Sequence, residues 1–287
     1  MKQVAVAIIH GMGIQKEDYA EDMEVLLQQA FLEKAKPFVS GPFSPIVIES
    51  VYWAEIFGDR EEELFQSLVI NNHLRYKGLR RFVIQYLADV IAYQPVETAK
   101  HNYHRVHQKL ADVLRVLAGK AGHHAPLCVI SHSLGSVIAS NYFYDLQINQ
   151  GNAQLPVSEL SPLEKGDSLA LFYTLGTTLP LWSLRYDNFD RPIQIPSHKL
   201  HQYYPNLEGE WINFYDKDDI LSYPLKQVSP EYNRAVNEDR EINAGDIWKS
   251  WNPLSHSAYL TDKDVIEPIV NGLFTVWAHI NNIELHE

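Results

Sequence analysis

The sequence predicts an α/β fold, a mostly parallel sheet of about six strands flanked by helices. Three observations carry that expectation: short Val- and Ile-rich runs recur along the chain, stretches of helical periodicity lie between them, and the first run is apolar throughout rather than alternating. Unbroken apolar runs of this length suit strands covered on both faces, the situation in a parallel sheet between two helix layers.

Val4-Ala5-Val6-Ala7-Ile8-Ile9 is too short for a helix and is stopped by Gly11-Met12-Gly13, so it reads as the first strand. Residues 17–36 follow with Met23, Leu26, Leu27, Ala30 and Phe31 at helical spacing before Pro37. Pro45 to Trp53 gives a second strand and Leu127 to Ile130 a third, the latter followed by a helix through Asp145. Leu169 to Leu175 and Glu210 to Tyr215 are the fourth and fifth, and a last helix covers residues 263–282. The segment 54–125 exceeds what one crossover helix needs. It holds two amphipathic stripes, one of Leu79, Phe82, Val83, Leu87, Val90 and Ile91, the other of Tyr103, Val106, Leu110, Val113, Leu114 and Leu117. No repeat, linker or composition break divides the chain, so the expectation is one domain over 1–287 with a helical insertion at 54–125, the first stripe packing as a cap over the site.

Composition narrows the function. With 46% hydrophobic and 11% aromatic residues among 287, the chain can bury a large core. Its 24 Lys+Arg against 36 Asp+Glu leave a net charge of -12, which argues against nucleic acid as a partner. The single cysteine, Cys128, excludes an intramolecular disulfide and a multi-cysteine zinc site. The opening apolar run is shorter than the roughly 7–15 residues of a secretory core, and no stretch reaches the roughly 18 of a membrane span, so a cytoplasmic protein is expected.

The chemistry concentrates at three strand ends. Ser131-His132-Ser133-Leu134-Gly135 joins the third strand to the next helix, the context of a nucleophile elbow; the competing reading is a plain helix start capped by Ser131 or Ser133. His10-Gly11-Met12-Gly13 follows the first strand, where the N–H groups of Met12 and Leu134 suit an oxyanion hole. A dinucleotide loop is the rival there, and Lys16 at its third glycine position rules it out. The fifth strand ends in Asp216, Asp218 and Asp219; Asp219 is favoured as a catalytic acid, Asp218 stands second, and Asp216 suits a turn cap. Ser255-His256-Ser257-Ala258-Tyr259 lies in the loop before the last helix.

In these motifs, and in the chain order Ser133, Asp219, His256, the sequence resembles the α/β-hydrolase superfamily, in particular its serine esterase and lipase-like members with an H-G-x-G loop and an S-H-x-x-Y loop. Ser131 stands where the usual elbow has glycine. The resemblance implies Ser133 as nucleophile, His256 as base, Asp219 (alternatively Asp218) as orienting acid, and Met12 and Leu134 as oxyanion donors, on a sheet lacking the two antiparallel edge strands common in the superfamily. It implies a serine hydrolase that cleaves carboxylic esters through an acyl-enzyme, on a small-molecule acyl ester or lipid, with no metal or other cofactor. Arg75, Lys77, Arg80 and Arg81 beside the first apolar stripe add peripheral membrane contact as an expectation. Two alternatives stand: a catalytically silent hydrolase fold that binds a partner, and a thioesterase or peptidase using the same triad.

Other signals point to structure. His101, His104 and His107 step by three residues, where zinc-binding helices favour four, so a solvated helix face is expected. Trp182, Tyr186 and Phe189 suit either an acyl pocket or loop core, and Cys128 suits buried packing.

Overall fold

The computed structural model describes residues 1–13, 15–39, 41, 43–94, 102–148, 160–185, 187, 189–244 and 255–284, with the backbone alone at 255–257. Six strands form one sheet: β1 (Val4–Ile9), β2 (Ile46–Val51), β3 (Leu127–His132), β4 (Leu169–Leu175), β5 (Glu210–Asp216) and β6 (Glu238–Ile242). Their order is β2-β1-β3-β4-β5-β6 and every neighbouring pair is parallel. The helices are α1 (Glu21–Ala35), α2 (Gly58–Phe65), α3 (Lys77–Ala92), α4 (Asn102–Ala121), α5 (Leu134–Gln147), the short α6 (Leu179–Trp182), α7 (Leu200–Tyr203) and α8 (Pro230–Ala235), and α9 (Lys263–Ile280).

Strand β1 shows why its run is apolar throughout. Val4, Val6 and Ile8 pack with Phe31 of α1 and Trp277 of α9, whereas Ala5, Ala7 and Ile9 pack with Leu110 of α4 and Val137 of α5. Alternate side chains thus enter two separate cores, one on each face of the sheet. Cys128 is fully buried in the layer with α1 and α9, as packing predicts. The edge strand β6 went unseen in the sequence because Glu238-Asp239-Arg240-Glu241 carries no apolar signal. It is specified by its pairing with β5, from Ile212 opposite Glu238 to Asp216 opposite Ile242, and its charges suit a sheet edge.

The region between β2 and β3 corrects two expectations. Helix α4 is the crossover helix, with Tyr103, Val106, Leu110, Leu114 and Leu117 buried against the sheet. Helix α3, by contrast, turns most of its apolar stripe outward: Leu79, Val83, Leu87 and Ile91 are exposed, Phe82 and Val90 are partly buried, and Asp89 is its one buried residue among those described. Its exposed residues therefore face solvent, while Asp89 and Val90 face the body of the protein. The helix docks through Val90 and Ala92, which pack against the core, and through polar contacts, with Arg81 paired to Glu62 and its guanidinium over the Phe65 ring.

The second correction concerns the histidines of α4. His101 lies outside the described residues, but His107 is buried, its Nε2 within 2.9 Å of the Tyr93 hydroxyl. Burial pushes its pKa down to about 3, so the ring is neutral in the folded chain. The unfolded ring takes up a proton near pH 6.5, so the folded state keeps its full stability above that pH and loses it as pH falls toward 3. At pH 5 the loss from this one residue is roughly 2 kcal/mol. Urea unfolding at pH 7 and pH 5 should show that share of the pH dependence disappearing in His107→Gln; an unchanged slope would refute the assignment.

Candidate active site

Ser133 occupies a sharp turn between β3 and α5. Its φ of 52° and ψ of -123° are left-handed, a conformation unfavourable for any residue with a Cβ. The turn is held on both sides: the Ser133 N–H donates to the Leu175 carbonyl at 2.9 Å, and its carbonyl accepts the Ser136 N–H at 3.0 Å. The hydroxyl does not cap the helix, and among the described residues Oγ is buried with no hydrogen-bond partner. Ser131 does not cap either, since its Oγ donates to the Tyr173 carbonyl at 3.2 Å on the neighbouring strand. The capping explanation of this motif therefore fails for both serines.

Two glycines let the backbone close around this serine. A Cβ on Gly135 would lie 2.5 Å from the His10 carbonyl oxygen and 2.8 Å from that of Ile9, so the first turn of α5 sits directly against the end of β1. A Cβ on Gly11 would lie 2.6 Å from Ser133 Cβ. The His10–Gly13 loop thus runs immediately beside the serine. Met12, next in that loop, is half-buried, and Leu134 opens α5, where helix geometry gives its N–H no intrahelical acceptor.

His10 locks the loop to the neighbouring strand end. Its Nε2 accepts the Trp53 N–H at 3.1 Å, its Nδ1 lies 2.7 Å from the Gly11 carbonyl, and Trp53 Nε1 donates to the His10 carbonyl at 3.1 Å. The two rings stack at 4.5 Å. An accepting Nε2 requires the neutral ring with its proton on Nδ1, and burial enforces that by pushing the pKa down to about 3. From the other side, Asp89 of α3 accepts the Gly13 N–H on Oδ2 at 2.8 Å.

The carboxylates after β5 are sorted by exposure. Asp219 is buried, whereas Asp218 is exposed. Asp219 Oδ1 accepts the Leu221 N–H at 3.0 Å and Oδ2 accepts the Tyr259 hydroxyl at 3.1 Å. Asp216 is a double turn cap, Oδ1 accepting the Asp218 N–H at 2.8 Å and Oδ2 the Ala244 N–H at 2.7 Å. The Tyr259 oxygen also accepts the Asp216 N–H at 3.0 Å, and burial together with the charge of Asp219 raises its pKa far above that of free tyrosine.

Ser255–Thr261 forms a 3-10 helix entering α9, which puts backbone position 256 one turn before Tyr259; the His256 side chain lies outside the described residues. Trp182 is buried against Tyr93, Phe189 stacks on Tyr232 at 5.0 Å, and Tyr186 lies outside the described residues. Among the described residues no cluster of three His, Cys, Asp or Glu side chains is arranged to hold a metal ion.

Sequence reasoning missed the roles of Trp53 and Asp89 at this site. Trp53 had no signal beyond its place at a strand end. Asp89 had one, a carboxylate inside an amphipathic helix, but nothing in the spacing says which way it points.

No family model matches the chain, and no curated protein matches it. Among solved structures it is similar to one from a study of two fungal esterases from Rhizomucor miehei, at 11% identity and a TM-score of 0.42 over 98% of this chain and 77% of that one. It is also similar to one described with the metagenome-derived lipolytic enzymes LipS and LipT, at 10% identity and a TM-score of 0.32 over 84% and 82% of the two chains.

Proposed function

We propose that this chain is a serine hydrolase of the α/β-hydrolase type that cleaves a carboxylic ester through an acyl-enzyme. The observation that carries the reading is the strained turn at Ser133, whose hydroxyl is not used in capping and lies beside the His10–Gly13 loop. Strain of this kind persists where surrounding structure over-determines it, and it costs stability without any structural return at this position.

In this mechanism Ser133 Oγ attacks the ester carbonyl while His256 takes its proton. The tetrahedral oxyanion is met by the N–H groups of Met12 and Leu134. Collapse expels the alcohol, which receives the proton from His256, and leaves the acyl group on Ser133. Water, deprotonated by the same histidine, then releases the acid and restores the serine. Asp219, buried, orients the imidazole and stabilises its charged form. The exposure of Asp218 favours Asp219 for this role.

The test is turnover of p-nitrophenyl esters of graded chain length, together with reaction with a fluorophosphonate and location of the adduct by mass spectrometry. An adduct on Ser133 with ester turnover supports the reading. Absence of both overturns it in favour of a silent fold that binds a partner, and thioester or peptide cleavage without ester turnover favours the third alternative.

Peripheral contact with an anionic membrane surface, by way of α3, belongs to the same reading. Leu79, Val83, Leu87 and Ile91 form an exposed apolar row, and Arg75, Lys77 and Arg80 are exposed at its N-terminal end, a local positive charge on a chain of net charge -12. Among the described residues no helix is long and apolar enough to cross a membrane. Sedimentation with vesicles containing phosphatidylglycerol should carry the chain down, and vesicles of phosphatidylcholine alone should carry less. Leu79→Glu combined with Ile91→Glu should abolish the difference. Equal sedimentation of the variant, or burial of this face in a dimer in solution, would refute it.

A further inference from the structure

Helices α2 and α3 meet through two buried carboxyl groups. Asp89 is buried in α3 and Glu61 in α2, and the two carboxyl groups are near enough for each to shift the other's pKa. Two neighbouring carboxyl groups buried away from water do not both ionise readily, so one of them keeps its proton. Asp89 already accepts the Gly13 N–H at 2.8 Å, a contact that favours its ionised form. Glu61 has no such donor, and its Oε1 is buried without a partner among the described residues. An ionised Glu61 would leave a buried charge unpaired beside another carboxylate, so the proton resides on Glu61.

We propose that the Asp89–Glu61 carboxyl pair is a positioning device for the oxyanion loop, in which Asp89 grips Gly13 and protonated Glu61 holds Asp89 in place. The proposal rests on the reading of Ser133 as nucleophile and Met12 as oxyanion donor. Met12 lies between two fixed points: His10, locked to Trp53, and Gly13, locked to Asp89. A donor works in catalysis only when its orientation is set before charge develops on the substrate. Without the second anchor the Met12 peptide is held from one side alone.

The pair also makes the loop sensitive to alkali. Burial and the neighbouring Asp89 raise the pKa of Glu61 well above that of a free carboxyl, so its proton is kept at neutral pH and lost on the alkaline side. That loss places two negative charges next to the loop that must receive a developing oxyanion, and it removes the donor that holds Asp89. The other charged groups near the pair are spoken for or turned to solvent. On α2, Arg60 and Asp59 are exposed and Glu62 pairs with Arg81 of α3; Glu55, before α2, pairs with Lys109 of α4; His10 of the loop is neutral.

The test uses the full chain and two readouts. Hydrogen exchange of the amides at residues 10–13 reports the anchor whether or not the chain turns over an ester. Asp89→Ala should lower protection there by tenfold or more, and Asp89→Asn, which keeps an acceptor oxygen for Gly13, should restore most of it. In ester turnover Asp89→Ala should lower kcat by ten- to a hundredfold with KM within about twofold, since donor orientation matters mainly in the transition state. Wild-type kcat should fall at alkaline pH, and Glu61→Gln, whose amide cannot lose its proton, should shift that fall upward or remove it. Unchanged protection in Asp89→Ala overturns the proposal, as does an alkaline limb in Glu61→Gln identical to that of the wild type. If Asp89→Ala does not fold, the Glu61→Gln profile and the exchange of Asp89→Asn decide. A wild type without turnover or fluorophosphonate adduct refutes the hydrolase reading on which the catalytic role rests, and loop exchange then decides the anchor alone.

Discussion

Ser133→Ala should lower kcat for ester hydrolysis by roughly 10⁴- to 10⁶-fold and abolish the fluorophosphonate adduct, since loss of a nucleophile that acts with its base removes the acyl-enzyme route entirely. Stability should hardly change. The hydroxyl makes no hydrogen bond among the described residues, and alanine retains the same Cβ in the same left-handed conformation. Ser133→Gly separates the two properties. Glycine adopts a φ of 52° without steric cost, so the variant should be inactive yet more stable than the wild type by about 1 kcal/mol, the relieved strain exceeding the entropy lost by a freer unfolded chain. Kinetics, adduct mass and urea midpoints compare both variants with the wild type. Residual turnover above a few per cent in Ser133→Ala would remove the serine from the mechanism.

Asp219→Asn should cost on the order of 10⁴-fold in kcat, while Asp218→Asn should stay within a few-fold of wild type. The structure supplies the reason for the contrast. Asp219 is buried and accepts the Leu221 N–H and the Tyr259 hydroxyl, so its position is fixed by two donors from different segments. Asp218 is exposed, and its interaction with a distant charge is weakened by solvent. An asparagine at 219 preserves the shape of the side chain but removes the charge that stabilises a protonated base and presents an amide that cannot accept from it. Tyr259→Phe should give a smaller loss, because the Leu221 N–H still holds the acid. Equal effects at 218 and 219 would show that neither carboxylate acts alone.

Much of this architecture was legible in the chain. Five of six strands announced themselves through apolar residues, most plainly β1 and β4, which are buried on both faces. The elbow and the loop after β1 were legible too, because close approach admits only small residues there, and Gly11 and Gly135 now have the contacts that exclude a Cβ. Strand β6 was not legible, since an edge strand with a charged sequence is defined by the backbone groups it pairs with. The acid stayed ambiguous in sequence for a related reason: adjacent aspartates have the same chemistry, and only burial separates them.

By itself the sequence determined the alternation of strand and helix, the exclusion of an intramolecular disulfide, and the chain order of Ser133, Asp219 and His256. These follow from local rules: periodicity, steric limits at tight turns, and the charge and residue types present. Tertiary structure decided the questions of direction and burial. It turned most of the α3 stripe to solvent and Asp89 inward, buried His107 where a solvated face was expected, and separated Asp219 from Asp218. A helical period gives the angle between side chains on one helix but not the rotation of that helix against its neighbours, which depends on what the rest of the chain offers as a partner. At Asp89 of α3 that partner was the Gly13 backbone N–H, which leaves no mark in the local sequence.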